Sequence, residues 1–199
     1  MIKGILCCCL LLCFVAAKSE SGTSDGFHLV DLRAGAGIVT APAVLEGIGT
    51  AVAESIVDPD FQSVAIDGDI AYSVSALFLP DSRFSFGMDV VFDRTTLLYE
   101  FATPELDESY ETEYISLMAR MDFKYIKKGP FKLYSSIGIG LCSRSVDQTL
   151  PSTEISDKNF GGALQLTPVG IRVGNRLAFW AELGFGYRGV LAGGLALKL

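Results

Sequence analysis

The sequence predicts an all-β protein, an eight-stranded antiparallel up-and-down transmembrane β-barrel, from three observations. Apolar and polar residues alternate with a period of two in one segment after another, which is the pattern of a strand with two different faces. Short turns rich in Pro, Gly, Asn and Asp alternate with longer polar connections, as in a barrel whose long loops lie at one end. The chain ends at Leu199 in an alternating apolar segment, which a closed barrel needs as the strand that pairs with the first.

The amino-terminal residues have the pattern of a cleaved secretory signal peptide. Lys3 supplies a positive start, an apolar run covers 4–15, and Val15 and Ala17 occupy the positions expected for cleavage after Ala17. A transmembrane anchor is disfavoured because the run is shorter than the ~20 residues that span a bilayer. A lipoprotein is an alternative, since four cysteines lie in this region. The predicted segments are 1–17 as signal peptide, 18–26 as a flexible lead segment and 27–199 as the outer-membrane barrel.

Cysteine content and charge exclude several kinds of site. Cleavage would leave Cys142 as the one cysteine, so we expect neither an internal disulfide nor a cysteine-based metal site. The formal charge of −7 becomes one unit more negative because Lys3 is lost. An acidic chain without a basic run is not expected to bind nucleic acid. No cofactor and no metal site is predicted.

The strands follow from the alternation. Between 114 and 125 the odd-numbered residues from Ile115 to Tyr125 are apolar, and the opposite face carries Arg120, Asp122 and Lys124. Around Pro168 the alternation changes phase, which predicts a β-bulge, because a bulge shifts the pattern by one residue and tolerates proline. The predicted strands are 30–38, 66–78, 84–93, 114–125, 131–144, 160–173, 177–187 and 190–199.

The connections between these strands are of two kinds. The last hairpin is joined by a very tight turn at Arg188 and Gly189. Within the first long connection, the apolar residues of 43–57 have helical spacing, so a short amphipathic helix is expected there. The other short turns are 79–83, 127–130 and 174–176, and the other long connections are 95–111 and 145–158.

The polar faces of the strands indicate which side of the barrel wall meets solvent. A soluble lipocalin-like barrel points its apolar face inward, whereas an outer-membrane barrel points it outward into lipid. Here the polar face is rich in glycine and carries acids and bases in equal number, which a narrow lumen requires because unpaired buried charge is costly. We expect Arg120, Asp122, Arg172 and Glu182 to meet as a salt-bridged plug. The full predicted lumen network is Asp31, Arg33, Asp67, Asp69, Asp89, Arg120, Asp122, Arg172, Glu182 and Lys198.

Aromatic residues are placed as two belts, as expected where a barrel wall crosses the two interfaces of a membrane. The belt beside the short turns comprises Phe78, Phe84, Tyr125, Phe131 and Phe179. The belt beside the long connections comprises Phe61, Tyr99, Tyr110, Tyr114, Phe160 and Tyr187.

The whole of 27–199 resembles the small eight-stranded outer-membrane barrels of Gram-negative bacteria, the OmpA/OmpX-like porin-family proteins. The residues LTPVGIR at 166–172 and FWAELGFGYRG at 179–189 are similar to the closing strands of that group. The resemblance implies a monomer in the cell outer membrane with its amino terminus in the periplasm, in contact with outer-membrane lipid and, during biogenesis, with the barrel-insertion machinery. It also implies an assembly signal in the last strand, at Gly194, Leu197 and Leu199, where Leu199 replaces the usual Phe.

Nothing in the sequence predicts catalysis. Lipid-modifying enzymes built on similar barrels imply a histidine near the outer rim, but His28, the one histidine, starts the first strand at the periplasmic end. Asp67, Asp69 and the acids of 105–111 could bind a divalent cation, but they lack the spacing of a calcium loop. The predicted role is a structural or surface-interaction barrel that binds a partner through its long loops. The alternatives are a narrow porin-like channel for small solutes, a soluble lipocalin-like binder and an outer-membrane enzyme.

Overall fold

The computed structural model describes residues 30–45, 47–48, 61–68, 70–101, 108–150 and 153–199. The predicted signal peptide, the lead segment and His28 lie outside these residues. The strands are β1 (Val30–Ile38), β2 (Phe61–Gly68), β3 (Ala71–Phe78), β4 (Phe84–Phe101), β5 (Glu108–Lys128), β6 (Phe131–Leu150), β7 (Thr153–Gly174), β8 (Leu177–Gly186) and β9 (Leu191–Lys198).

The strands form one closed antiparallel barrel. β2 and β3 both pair with β4, and the register moves by one residue between the pairs Gly68–Thr95 and Tyr72–Phe92, so together they form one barrel strand with a break. Each further strand pairs with its neighbour in the chain, and β9 pairs with β1 to close the ring. The predicted fold class, an all-β eight-stranded up-and-down barrel, is confirmed.

The two ends of the barrel differ in height. At the end that holds the short turns, called the turn end below, Val30 and Leu199 lie side by side, and the Leu199 amide donates to the Val30 carbonyl at 2.9 Å. At the opposite end, called the loop end, β4 to β7 are 18 to 22 residues long. β8 and β9 are only 10 and 8 residues long. The loop-end rim is therefore high on one side and low on the other.

The prediction of long connections at 95–111 and 145–158 was wrong. The β4–β5 ladder continues to the pair Tyr99–Glu108, and the β6–β7 ladder continues to the pair Leu150–Thr153. The extensions of β5, β6 and β7 are mainly polar, and polarity indicated loops, whereas the β4 extension also carries Leu97, Leu98, Tyr99 and Phe101. Beyond the apolar band, the two faces of a strand do not need to differ in polarity, so the sequence shows no apolar–polar alternation. The threonines and tyrosines of these segments still favour an extended backbone.

The predicted bulge at Pro168 is confirmed. The β7–β8 register shifts between the pairs Leu166–Phe185 and Val169–Leu183, so one extra residue lies in β7. Leu166 and Val169 are both exposed although they have opposite parity. The bulge thus keeps the apolar residues on the outer face along the whole of β7.

The outer face carries a continuous apolar band. On β5 it runs from Ile115 to Tyr125 and on β6 from Phe131 to Leu141, with every second side chain pointing outward. Large apolar side chains are well exposed here, with 67% of Ile139 accessible. Among the outward side chains that the structure describes, none within the band is charged.

The connection after β1 turns inward over the lumen. Residues 41–45 and 47–48 are helical, and the helix begins with the Val44 amide donating to the Thr40 carbonyl at 3.2 Å. The Thr40 hydroxyl donates to the inward-facing Asp93 at 2.6 Å, and Ala41 and Ala43 are buried. The helix predicted within 43–57 is therefore present in its described part, whereas 49–60 lie outside the described residues. No described helix has both the length and the apolar character to cross a membrane.

Candidate functional site

The candidate site is the barrel lumen, which is filled by side chains in layers. Because residues of a strand alternate between its two faces, every second position of each strand points into the barrel. From the turn end to the loop end, the inward side chains form a lysine layer, an arginine–carboxylate network, an apolar layer and a cavity.

The arginine–carboxylate network contains four bases and four acids, so its formal charge is zero. All eight side chains are at most 3% exposed. The members are Arg33, Arg120, Arg172, Arg188, Asp31, Asp89, Asp122 and Glu182.

Glu182 on β8 is the most connected acid of the network. Its Oε1 atom accepts a hydrogen bond from Arg120 Nη2 at 2.6 Å and another from the Tyr134 hydroxyl at 2.7 Å. Arg33 Nη1 lies 3.6 Å from the same oxygen, and Arg188 donates to Oε2. One carboxylate thus holds together β1, β5, β6 and the turn after β8.

Asp122 and Asp31 extend the network across the lumen. Asp122 accepts from Arg120 Nε at 2.6 Å and forms an ion pair with Arg33 Nη2 at 3.1 Å. Asp31 accepts from Arg33 Nε at 3.1 Å and from Arg172 Nη2 at 3.2 Å. Each acid therefore bridges two bases, which compensates for the cost of burying the charges.

Aromatic rings support the guanidinium groups. The Arg33 guanidinium carbon lies 5.0 Å from the centre of the Tyr134 ring, and that of Arg188 lies 5.6 Å from the Trp180 ring. Arg188 also donates to Asp89, which lies 3.5 Å from Arg120. Such contacts stabilise a desolvated cation through the negative face of the ring.

At the turn end, Asp81 joins two lysines. Its Oδ1 atom accepts from Lys132 Nζ at 2.8 Å and from Lys198 Nζ at 2.6 Å. Partial burial raises the pKa of the Asp81 carboxyl, but the hydrogen bonds from Lys132 and Lys198 outweigh this effect and hold the pKa well below its usual range. Lys124 lies in the same layer and donates to the Ser82 carbonyl at 3.0 Å. These contacts hold the short turn 79–83 at the turn-end opening of the barrel.

Toward the loop end, an apolar layer covers the network. Ala71, Val91, Met118 and Ala163 pack with Tyr114 and Cys142 in one buried cluster. A cavity of about 200 Å³ lies beyond it, lined by Tyr114, Cys142, Arg144, Asn159, Gly161 and Tyr187, among others. The lumen is therefore closed twice, by paired charges and by apolar packing.

The structure places the predicted lumen residues in three situations. Asp31, Arg33, Asp89, Arg120, Asp122, Arg172 and Glu182 belong to the arginine–carboxylate network. Lys198 lies in the lysine layer with Asp81 instead. Asp67 lies in β2, where its side chain is not described, and Asp69 lies outside the described residues, as do the acids 105–107. A divalent-cation site there is therefore untested.

The predicted lumen network omits Arg188, which is one of its members, and Tyr134, which donates to Glu182. Arg188 has the same parity as Glu182, but it lies in the tight turn and not within a strand. Tyr134 has lumen parity on β6, but a tyrosine gives no charge signal.

The prediction that Tyr114 and Tyr187 belong to an outer aromatic belt was wrong. Tyr114 is 5% exposed, and Tyr187 is partly buried against the apolar layer, where the two rings pack edge-on at 6.3 Å. Tyr114 has an even number, like the inward-facing Arg120 on the same strand, so the alternation in β5 predicts that the Tyr114 side chain points into the lumen.

The predicted assembly-signal residues lie at the seam between β9 and β1. Leu197 and Leu199 are partly exposed on the outer face. A Cβ atom at Gly194 would lie 2.1 Å from the Ala34 carbonyl oxygen, so the seam requires glycine there. In the described part of the chain, no group of three His, Cys, Asp or Glu side chains could hold a metal ion.

No protein-family model matches the chain, and no curated protein matches it. The acids and bases of the network are paired with one another, and the pairs are buried between the lysine layer and the apolar layer.

Proposed function

We propose that the chain is an integral outer-membrane β-barrel of a Gram-negative cell, with a structural or surface-interaction role and no catalysis. The observation that supports it best is the direction of the two faces. The apolar side chains point outward in an uncharged band, and four carboxylates face four guanidinium groups inside. This arrangement is the opposite of a soluble ligand-binding barrel, which points its apolar face inward.

The height of the apolar band agrees with a bilayer. From Phe131 to Leu141 the band covers 11 residues of β6, and from Phe84 to Phe92 it covers nine residues of β4. A tilted transmembrane strand needs about 9–11 residues. Phe84, Phe131 and Phe179 are exposed at the turn-end border, where aromatic side chains are favoured at an interface. In this proposal the turn end faces the periplasm, and the residues before Val30 include a cleaved signal peptide.

A filled lumen favours a structural role over a channel. Arg120 and Glu182 meet at 2.6 Å in the centre, and Met118 and Val91 close the lumen toward the loop end. A solute would have to break several buried ion pairs, each costly to separate. The tall hairpins β4–β5 and β6–β7 would instead stand above the membrane and offer a surface to a partner. We propose a monomer inserted by the barrel-insertion machinery and surrounded by outer-membrane lipid.

A charge placed on the outer band tests whether lipid surrounds it. Ile139→Arg is expected to destabilise the barrel in phospholipid vesicles by about 2–4 kcal/mol, since this is the cost of an arginine on the lipid face near the bilayer centre. Ser145→Arg, also outward on β6 but beyond the band, is the matched control and should change the unfolding free energy by about 1 kcal/mol or less. Urea unfolding of both variants measures the difference. If both variants lose almost no unfolding free energy, the result would favour a water-soluble barrel.

Conductance separates the structural barrel from a channel. The purified protein in a planar bilayer is expected to show no stable current, and it should migrate faster on gels before boiling than after. A steady conductance that changes in Arg120→Ala would overturn the structural role in favour of a narrow channel. A protein that stays monodisperse in buffer without detergent would overturn the membrane proposal.

A further inference from the structure

The turn end of the barrel carries an excess of positive charge, although the whole chain has a formal net charge of −7. Outside the arginine–carboxylate network, seven cations lie in the short turns or at the strand ends beside them. The acidic groups described in the same region are the Asp81 side chain and the carboxyl terminus. The turn end is therefore basic, and its cations are Arg83, Lys124, Lys127, Lys128, Lys132, Arg176 and Lys198.

Four of these side chains are exposed, and none of the four forms an ion pair with a described acidic group. The Asp81 carboxylate accepts from the buried Lys132 and Lys198, whereas Lys127 donates to the Asp81 backbone carbonyl at 2.8 Å. The charge of the exposed cations is therefore not compensated within the described part of the chain. The exposed cations are Arg83, Lys127, Lys128 and Arg176.

An aromatic cluster on the outer face holds Arg83 at the border of the apolar band. The Arg83 guanidinium carbon lies 5.2 Å from the centre of the Phe123 ring. The same ring packs against Phe84 and Tyr125, with ring centres 5.1 and 5.0 Å away. Both of these neighbours are exposed, so the cluster faces the surroundings and not the lumen. Aromatic rings at the border of a membrane protein lie at the level of the lipid headgroups, and Arg83 is fixed beside them.

Two lysines extend the charge along the same border. Lys128 lies opposite the exposed Phe131 in the β5–β6 ladder. The hydrogen bond from Lys127 to Asp81 brings the β5–β6 turn against the β3–β4 turn. The three cations on these two turns, Arg83, Lys127 and Lys128, are called the basic border below.

We propose that the basic border binds the phosphate groups of anionic phospholipids in the leaflet that surrounds the turn end. The inference rests on the proposed function, because it needs lipid around the apolar band. A guanidinium can hold a phosphate through two parallel hydrogen bonds, and each ammonium adds a point charge. A cation near an anionic lipid surface raises association about fivefold. At the loop end, by contrast, the exposed Arg94 is already paired with Glu111 and Glu113.

The test measures lipid retention by native mass spectrometry of the full chain in detergent micelles. Phosphatidylglycerol and phosphatidylcholine with identical acyl chains are titrated separately. Phosphatidylglycerol should reach half-saturation at a concentration at least about fivefold lower. Arg83→Gln should raise that concentration about fivefold and leave the value for phosphatidylcholine unchanged. Lys158→Gln removes an exposed cation at the loop end and is the matched control with an unchanged preference.

Two further measurements identify the source of the phosphate. Arg83→Gln combined with Lys128→Gln should remove most of the preference, and so should a rise in NaCl from about 0.05 to 0.5 M, because salt screens exposed charges. Glycerol 3-phosphate should not displace phosphatidylglycerol, since it lacks the acyl chains that hold the headgroup beside the apolar band. Heat-modifiable migration on gels shows for each variant that the barrel has folded.

The outcomes separate this inference from the membrane role. Equal retention of the two lipids by the wild type, or an unchanged preference in the folded double variant, would overturn the inference and leave the membrane role standing. Displacement by glycerol 3-phosphate would assign the basic border to a free phosphate and overturn the lipid proposal. A chain that retains neither lipid and stays monodisperse in buffer without detergent would overturn the proposed function as well.

Discussion

Glu182→Gln is expected to destabilise the barrel more than any exposed charge substitution. The side chain keeps its shape but loses its charge, while Arg120, Arg188 and Tyr134 still point at it. The network then has four bases and three acids inside a lumen where its members are at most 3% exposed. Removing one partner of a buried ion pair costs about 3–5 kcal/mol, because the remaining charge stays buried without compensation. We expect a loss of unfolding free energy in that range.

Trp180, the single tryptophan, provides the assay. It is 3% exposed, its indole N–H donates to the Leu195 carbonyl at 3.1 Å, and it lies two positions from Glu182 in β8. Urea unfolding in detergent, followed by its fluorescence, gives the unfolding free energy of each variant. Glu113→Gln is the matched control, because Glu113 pairs with Arg94 at 2.7 Å on the surface, where an ion pair contributes about 1 kcal/mol at most.

Two outcomes of this comparison would refute the reasoning. If Glu182→Gln and Glu113→Gln lower stability equally, burial adds nothing to the network. If Glu182→Gln is as stable as the wild type, the lumen has enough water to solvate the freed guanidinium groups. A double variant, Glu182→Gln with Arg188→Gln, restores charge balance and is expected to be less destabilised than the sum of its single changes.

Three other predictions concern packing, pH and assembly. Gly170→Ala should cost about 1–3 kcal/mol because its Cβ meets the Tyr134 ring, while Gly161→Ala should change stability by less than about 0.5 kcal/mol; equal urea midpoints would contradict this. Asp81→Asn should lower the unfolding free energy at neutral pH, and its difference from the wild type should shrink as pH falls below about 4. The folded protein holds the pKa of the Asp81 carboxyl below its unfolded value, so the carboxylate stabilises the fold fully above the unfolded pKa. This stabilisation is lost as the pH falls toward the folded pKa. Unfolding curves from pH 7 to pH 2 would reveal a deficit that grows instead. Leu199→Phe should raise the fraction of chains that reach the heat-modifiable form in cells, and an unchanged fraction would argue against a role for the last side chain in assembly.

The alternating pattern predicted the barrel because it divides the side chains of each strand into an inward face, which packs in the lumen, and an outward face, which meets the surroundings. The β1–β9 seam, the bulge at Pro168 and the inward direction of Arg120 and Glu182 all follow from that parity. The pattern could not predict where strands end above the apolar band. There, Thr95 and Thr112 still point inward, but their outward neighbours Arg94 and Glu113 are also polar. The inward and outward faces therefore no longer differ in polarity.

Partners inside the lumen were beyond the reach of the sequence. Parity places Arg172 inside but does not say that it reaches Asp31 and not Glu182, since that depends on the stagger of strands around the ring. Asp81 gave no signal either, because a carboxylate in a turn is usually solvated. Its role comes from Lys132 on β6 and Lys198 on β9, two strands that lie three places apart around the ring.

The seam also makes the choice of first strand arbitrary. Val30 and Leu199 exchange backbone hydrogen bonds at 3.4 and 2.9 Å, so a short linker joining them would span almost no distance. A circular permutant opened at the turn 187–190 would keep every strand pairing of the barrel, and its last strand would be β8 instead of β9. Folding of that permutant in detergent without delivery to the membrane in cells would show that the ring itself and the recognition of its last strand are separate properties.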